Sequence, residues 1–408
     1  MSHTNTAWSR RSVMAGIAGA AGLSLSGLAR AAAPSGPPIR VGQTLSLTGP
    51  FGQTGLVHKI TSEIFVAQLN EAGGLLGRPV EYVLLDDQSK PDVARTLYER
   101  LVTSDKVDFI LGPYGTAAIL AAMGVAQRYK KIFIQNTMGV PNLATYEWHF
   151  SALVSGAEPE KTLPQILYAA FASTAKPPKT IAIVSNKYPS ALFMAGGTEK
   201  AFEDKGVKTV AHLEYDVGNR DWGPIAARVK DANADFMWVG CLGVEGNQLL
   251  EALGQLQYKP PRHFYLYPSS GPLALLPLAE GAVSLTNFDD VPPYNTSPIG
   301  GPFAREFNKR AEAAGLPFPH ADTQAANEYS GWQILVAAVT ATKSLEDKAL
   351  AEWLEHNSVD TLVGKRDFSG KWHTSKSDQE KLRQLQGQKW VTVWPDEDAT
   401  PGFKLLSP

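Results

Sequence analysis

Side chains able to do covalent or metal chemistry are few in this sequence and poorly spaced for it. The single cysteine, Cys241, follows the apolar run Phe236-Met237-Trp238-Val239. That is the setting of a buried, inert thiol rather than of an activated nucleophile. One cysteine forms no intrachain disulfide. It also cannot complete a zinc site with eight histidines that lack metal-ligand spacing. Asp86-Asp87 ends a strand-like run, but neighbours on a strand point to opposite faces. Cap or loop hydrogen bonds therefore explain the pair better than shared acid–base or metal work. G-x-S-x-G, a phosphate loop ending in Lys-Ser/Thr and a G-x-G-x-x-G after the first strand are all absent. The sequence thus predicts no catalytic residue, no metal and no cofactor, and points away from an enzyme.

Composition narrows the class further. Hydrophobic residues make up 44% and charged residues 19% of 408 positions, enough for two globular domains with full cores. A net charge of only -2 gives no electrostatic footprint for nucleic acid or an anionic membrane. The N-terminus differs from the rest. Ser9-Arg10-Arg11-Ser12 precedes an apolar Ala/Gly/Leu-rich run, Val13 to Leu28, and then Ala29-Arg30-Ala31. This run is short for a membrane span and reads as an export signal, twin-arginine in type, cleaved after Ala31. Cys241 is far from that site, so no lipid-bearing N-terminal cysteine follows cleavage. The expected product is a soluble periplasmic protein without an anchor.

The elements that must position any site alternate. Short β-like runs, Ile39 to Gln43, Val80 to Leu85, Val107 to Leu111 and Lys131 to Ile134, interleave with helix-length stretches Leu56 to Glu71, Pro91 to Thr103 and Thr116 to Tyr129. Gly73-Gly74 stops the first helix. The rhythm restarts with helix Pro159 to Ala172 and strand Thr180 to Val184. It continues through helix Leu192 to Lys205, strand Val207 to Leu213, helix Trp222 to Asp231, strand Asp235 to Val239, helix Glu245 to Leu256 and strand His263 to Tyr267. Helices Pro302 to Ala314, Thr323 to Thr342 and Leu345 to Asn357 and a last strand, Lys389 to Trp394, follow. Val291 to Pro298 reads as a loop or crossover between lobes. Two such blocks predict an α/β protein of two Rossmann-like lobes with parallel-type sheets, whose strand C-termini face a shared cleft.

Several blocks then resemble the leucine/isoleucine/valine-binding protein family. They are Gly42-Gln43-Thr44-Leu45-Ser46-Leu47-Thr48-Gly49-Pro50, Leu69-Asn70-Glu71-Ala72-Gly73-Gly74-Leu75-Leu76-Gly77-Arg78-Pro79, Asp86-Asp87-Gln88 and Ile110-Leu111-Gly112-Pro113-Tyr114. Near the end, Gln384-Leu385-Gln386-Gly387-Gln388-Lys389-Trp390 is similar to the family's closing strands. The likeness implies a type I periplasmic binding fold, its lobes joined by a three-strand hinge and closing on a ligand. It implies lobe 1 over 38–155 plus 286–362 and lobe 2 over 156–285 plus 363–408. It also implies a membrane permease of an ABC transporter as partner, and a monomer free to close.

The same likeness carries residues. The ligand carboxylate is expected at Tyr114-Gly115-Thr116 and at Thr137 to Gly139, where a helix N-terminus offers N–H donors and a favourable dipole. Thr116 as a plain N-cap is compatible with that role. Phe51, Tyr114, Tyr188 and Tyr267 are candidate walls, with Ser190 an alternative to Tyr188. Two positions depart from the pattern. Ser269 stands where relatives that bind aliphatic amino acids place an acid for the ammonium, and Cys241-Leu242-Gly243 replaces aromatic residues. Unless Glu245 or another acid compensates, a carboxylate lacking an amine, such as an aromatic or oxo acid, suits the cleft. A secreted α/β enzyme and a sensory receptor of the same fold are the alternative readings.

Overall fold

The computed structural model describes residues 33–266, 270–375 and 380–407. The export signal, Tyr267 and Ser269 therefore lie outside the described residues. The first block builds β1 (Ile39–Leu45), α1 (Gly52–Glu71), β2 (Val80–Asp86), α2 (Pro91–Thr103), β3 (Phe109–Leu111), α3 (Thr116–Tyr129), β4 (Phe133–Gln135) and β5 (His149–Ser151). Its five strands form one parallel sheet in the order β2-β1-β3-β4-β5. Proline opens α2 at a position where its missing N–H loses nothing. At the far end of α1, Gly73 and Gly74 take positive φ, and the Gly74 N–H returns to the Leu69 carbonyl at 2.9 Å.

The second block repeats the scheme. Its elements are α4 (Pro159–Ala172), β6 (Thr180–Asn186), α5 (Pro189–Glu203), β7 (Lys208–Tyr215), α6 (Gly223–Ala232), β8 (Phe236–Gly240), α7 (Glu245–Gln255), β9 (His263–Tyr265), α8 (Ser270–Leu273) and β10 (Val283–Thr286). The chain then adds α9 (Gly300–Ala313), α10 (Thr323–Thr342), α11 (Asp347–His356), the hairpin β11 (Ser358–Thr361) and β12 (Gly364–Asp367), and finally β13 (Lys381–Gln386) and β14 (Lys389–Trp394). The second sheet runs β14-β13-β10-β9-β8-β6-β7. Its last two strands are antiparallel additions to a parallel core.

Helices cover both faces of each sheet, as fully buried parallel strands require. In the first lobe, Val41, Phe109 and Phe150 pack against Phe303, Phe307 and Trp332 of the returning α9 and α10. The opposite face packs Ile110 and Phe133 against α2 and α3. The second lobe buries Ile183, Trp238 and Phe264 on one side and Met237, Val239 and Tyr265 on the other.

The chain passes between the sheets after β5, after β10 and again before β13. Near these passages, Arg383 of β13 pairs with Asp289, lies 3.9 Å from Asp322, and sits over the Trp390 ring at 4.7 Å. Burial pushes the Asp289 carboxyl up to about 6, with the Arg383 charge opposing.

Several boundaries differ from the sequence reading. Helix α1 starts at Gly52 rather than Leu56, because the Gly55 N–H already bonds the Phe51 carbonyl at 2.9 Å. The alternation of strand and helix marks none of strands β5, β10, β11, β12 and β13, although the family likeness reaches the end of β13. The first two have only three or four residues, and β13, Lys381-Leu382-Arg383-Gln384-Leu385-Gln386, carries polar side chains at four of six positions.

Candidate functional site

In both sheets the strand order reverses beside the first strand of the block, between β1 and β3 and between β6 and β8. Loops that leave the strand ends at such a point diverge and open a crevice. The two crevices face each other. A cavity lies between them. From the first lobe it is lined by Tyr114 and Gly115 after β3, Thr137 and Gly139 after β4, and Gln324 of α10. Across from them stand Ser190 and Met194 of α5, Leu242 after β8, Leu266 after β9, and Glu380. An adjoining cavity shares Gln324 and reaches Thr54, Gly243 and Phe318.

Among the residues singled out by sequence, Tyr114, Gly115, Thr137, Gly139, Leu242 and Ser190, the alternative to Tyr188, line this cavity. Thr116 is fully buried behind it. It does not cap α3, since that position belongs to Gly115. Its Oγ1 instead accepts from the Gly139 N–H at 3.1 Å, while Thr137 Oγ1 accepts from the Gly115 N–H at 2.9 Å. Each hydroxyl therefore cross-links the loops after β3 and β4. A hydroxyl that accepts still has its own proton to donate, and the Thr137 side chain lines the cavity. Gln135 Oε1 fixes the second loop by accepting from Thr137 N and Met138 N.

Phe51 and Tyr188 do not line that cavity. Together with Tyr114, Ala191 and Leu242 they form a small apolar cluster at the lobe junction. Phe51 meets Tyr114 and Tyr188 edge-on at 5.5 and 5.8 Å. The Tyr188 hydroxyl accepts the Ala117 N–H at 3.0 Å, so a side chain following β6 reaches the start of α3 in the other lobe. Burial pushes its phenol up to about 12. Gly115, at φ +85°, leaves room for this approach, because a Cβ there would sit 2.7 Å from the Tyr188 oxygen.

The paired acids behave as loop fasteners. Asp87 accepts from Thr44 Oγ1 and Ser46 Oγ at 2.8 Å each, and Asp86 from the Leu47 N–H and Thr48 Oγ1. Glu245 does not line the cavity. Its carboxylate accepts from Asn186 Nδ2, Tyr215 Oη, and the Leu242 and Gly218 N–H groups at 2.8–3.1 Å. Cys241 is fully buried. Among the described residues, no group of three or more His, Cys, Asp or Glu side chains could hold a metal, and no helix is long and apolar enough to cross a membrane.

Sequence reasoning missed Gln324, Glu380, Ser155, and a buried polar set behind the cavity. His58 and Ser62 of α1 meet Gln324 and Glu328 of α10. A signal was available, since both pairs are spaced i,i+4 and share one helix face.

Comparison with known proteins now decides the family. A model described as "Periplasmic binding protein" matches residues 38–386. The chain belongs to that family. Its curated relatives include Leu/Ile/Val-binding protein homolog 1 of Brucella melitensis, 22% identical over 369 residues, covering 89% of this chain and 93% of that one. A Pseudomonas aeruginosa protein named for binding leucine, isoleucine, valine, threonine and alanine is 24% identical over 217 residues, 53% of this chain and 57% of its own length.

Among solved structures, a leucine-binding protein of Thermotoga maritima superposes with TM-score 0.72 at 16% identity, covering 87% of this chain and 97% of that one. A solute-binding protein of an ABC transporter from R. palustris, in complex with benzoate, gives 0.74 at 18%, covering 90% and 100%. These likenesses establish the type I periplasmic binding fold.

Proposed function

We propose that this member of the family is the exported, periplasmic solute receptor of an ABC uptake system. It captures a small carboxylate between its lobes, lobe 1 over 38–155 plus 286–362 and lobe 2 over 156–285 plus 363–408, and hands it to a membrane permease. It works as a monomer hinged on three passages of chain and performs no chemistry on its cargo.

The observation that carries this reading is the cavity itself. Thr137 and Gln324 on one wall face a mostly apolar wall of Met194, Leu242 and Leu266, with Ser190 and Glu380 its polar members. Hydrogen-bonding groups on one side and a mostly apolar surface opposite suit a ligand with a carboxylate at one end and a hydrocarbon body. Relatives named for branched-chain amino acids and neighbours solved with benzoates bracket the class. Glu245 is held inside its own lobe, but Glu380 lines the cavity and could receive an ammonium, so the class spans aromatic acids, oxo acids and amino acids.

The test is a thermal-shift screen of the chain without residues 1–31 against amino acids, their amides, benzoates and 2-oxo acids. A ligand held only by the folded, closed form raises the melting temperature saturably. The expected result is a rise with carboxylates alone. A rise confined to amides, or consumption of a compound during the assay, overturns the reading.

A further inference from the structure

Behind the shared wall of the two cavities lies a buried chain of polar groups that the ligand expectations do not use. Glu328 is 1% exposed and accepts from Ser62 Oγ at 2.7 Å, His58 Nδ1 at 2.9 Å, Gln43 Nε2 at 3.4 Å and Asn136 Nδ2. All four partners are donors, the pattern a carboxylate needs when it is taken out of water. From the other ring nitrogen, His58 Nε2 reaches Gln324 Oε1 at 3.3 Å. Carrying both ring protons beside the Glu328 carboxylate, His58 donates to both oxygens and links the buried acid to the amide on the cavity wall; the link exists only in that form.

The consequence falls on the far end of the amide. With Oε1 turned back to His58, the Gln324 NH2 points away from the relay. Gln324 lines both cavities, and its backbone is pinned by the Asp322 carboxylate, which accepts the Gln324 N–H at 3.0 Å. A glutamine left to itself presents either end. This one is oriented by a ring that is itself oriented by a buried acid.

We infer that Gln324 is a specificity-determining residue of the binding cleft: Glu328 and His58 hold its carboxamide so that the NH2 group donates to an oxygen anion of the bound ligand. This inference rests on the carboxylate-receptor reading above. His58 and Glu328 are positioning residues, acting through Gln324 without touching the ligand. The arrangement favours an anionic carboxylate, whose oxygen accepts a charge-assisted hydrogen bond, over a carboxamide, whose neutral carbonyl accepts a weaker one; an ammonium brought to the same place sets donor against donor.

The experiment compares matched pairs, benzoate with benzamide and leucine with leucinamide, by calorimetric titration of the chain from residue 32 and its variants. Wild type binds the carboxylate of at least one pair and discriminates against its amide. Gln324→Glu, which replaces the NH2 by an acceptor, should weaken that carboxylate roughly tenfold to hundredfold, the range for a hydrogen bond to a charged group. It should weaken the amide far less. Gln324→Met, which keeps volume without either end, should lose the carboxylate without gaining the amide, and it stands in if the charged variant fails to fold. Glu328→Gln leaves Gln324 in place and should lower the carboxylate-to-amide affinity ratio, a change that a merely structural role does not produce. Carboxylate binding unchanged in Gln324→Glu and Gln324→Met, or equal losses for acid and amide, overturns this inference and leaves the receptor reading standing. Failure of wild type to bind any carboxylate overturns both.

Discussion

The bond from the Ala117 N–H to the Tyr188 hydroxyl joins the two lobes through single atoms. It occupies a donor at the start of α3, where unpaired N–H groups and the helix dipole would otherwise attract an anion. Tyr188→Phe removes the acceptor and keeps the ring against Phe51. The expected outcome is a two- to tenfold weaker apparent affinity for whichever ligand the screen identifies, corresponding to about 0.5–1.5 kcal/mol for one neutral hydrogen bond. Unchanged affinity by titration would mean that the bond plays no part in the ligand-bound form. At this scale the sequence was informative where residues lie next to a strand end. Tyr114, Gly115 and Thr137 sit one loop from β3 or β4, so their type and place could be read together. Gln324 and His58 could not be placed that way, because their partnership spans 266 positions and depends on two helices meeting.

Alternation of strand and helix made the parallel cores of both lobes readable, since buried strands such as Phe236–Gly240 are continuous apolar runs. Strand β13 defeats that logic. Its Arg383 is buried because Asp289, Asp322 and Trp390 surround it, not because the residue is apolar. Strand β5 hides another polar group. His149 is 2% exposed, and neither ring nitrogen has a hydrogen-bond partner among the described residues. Burial pushes its imidazole down to about 3, with His373 adding repulsion. The unfolded chain, with an ordinary histidine near 6.5, therefore binds one more proton than the folded chain between about pH 6.5 and pH 3. Stability from this residue is fully present above pH 6.5 and falls as pH drops through that window. His149→Phe removes the extra proton. Urea unfolding across pH 4–6 should show the stability-versus-pH slope reduced by about 1.4 kcal/mol per pH unit relative to wild type. Equal slopes would mean that the ring is protonated in the folded lobe.

At the scale of the whole molecule, the lobes meet along a seam that tolerates almost no added bulk. A Cβ on Gly139 would lie 2.9 Å from the Ser190 Cβ, and one on Gly243 would lie 2.8 Å from the Pro50 carbonyl oxygen. Gly139 does not have a positive φ, so alanine there strains no backbone, and its conflict is with the opposite lobe alone. Gly139→Ala therefore separates closing from folding. If ligand capture requires the lobes to meet as they do here, the variant should populate the closed form less, and apparent affinity falls in proportion to the closed fraction. A conflict of about 1–2 kcal/mol, typical of forcing a methyl into a packed contact, corresponds to roughly five- to thirtyfold weaker binding. Small-angle scattering should show the ligand-saturated wild type contracting, and the variant requiring proportionally more ligand for the same contraction. Urea midpoints of the two ligand-free proteins should agree, because no contact inside either lobe changes. A variant that binds as tightly as wild type would mean that the captured state is more open than this one, with the ligand itself, rather than the Gly139–Ser190 contact, setting the distance between the lobes.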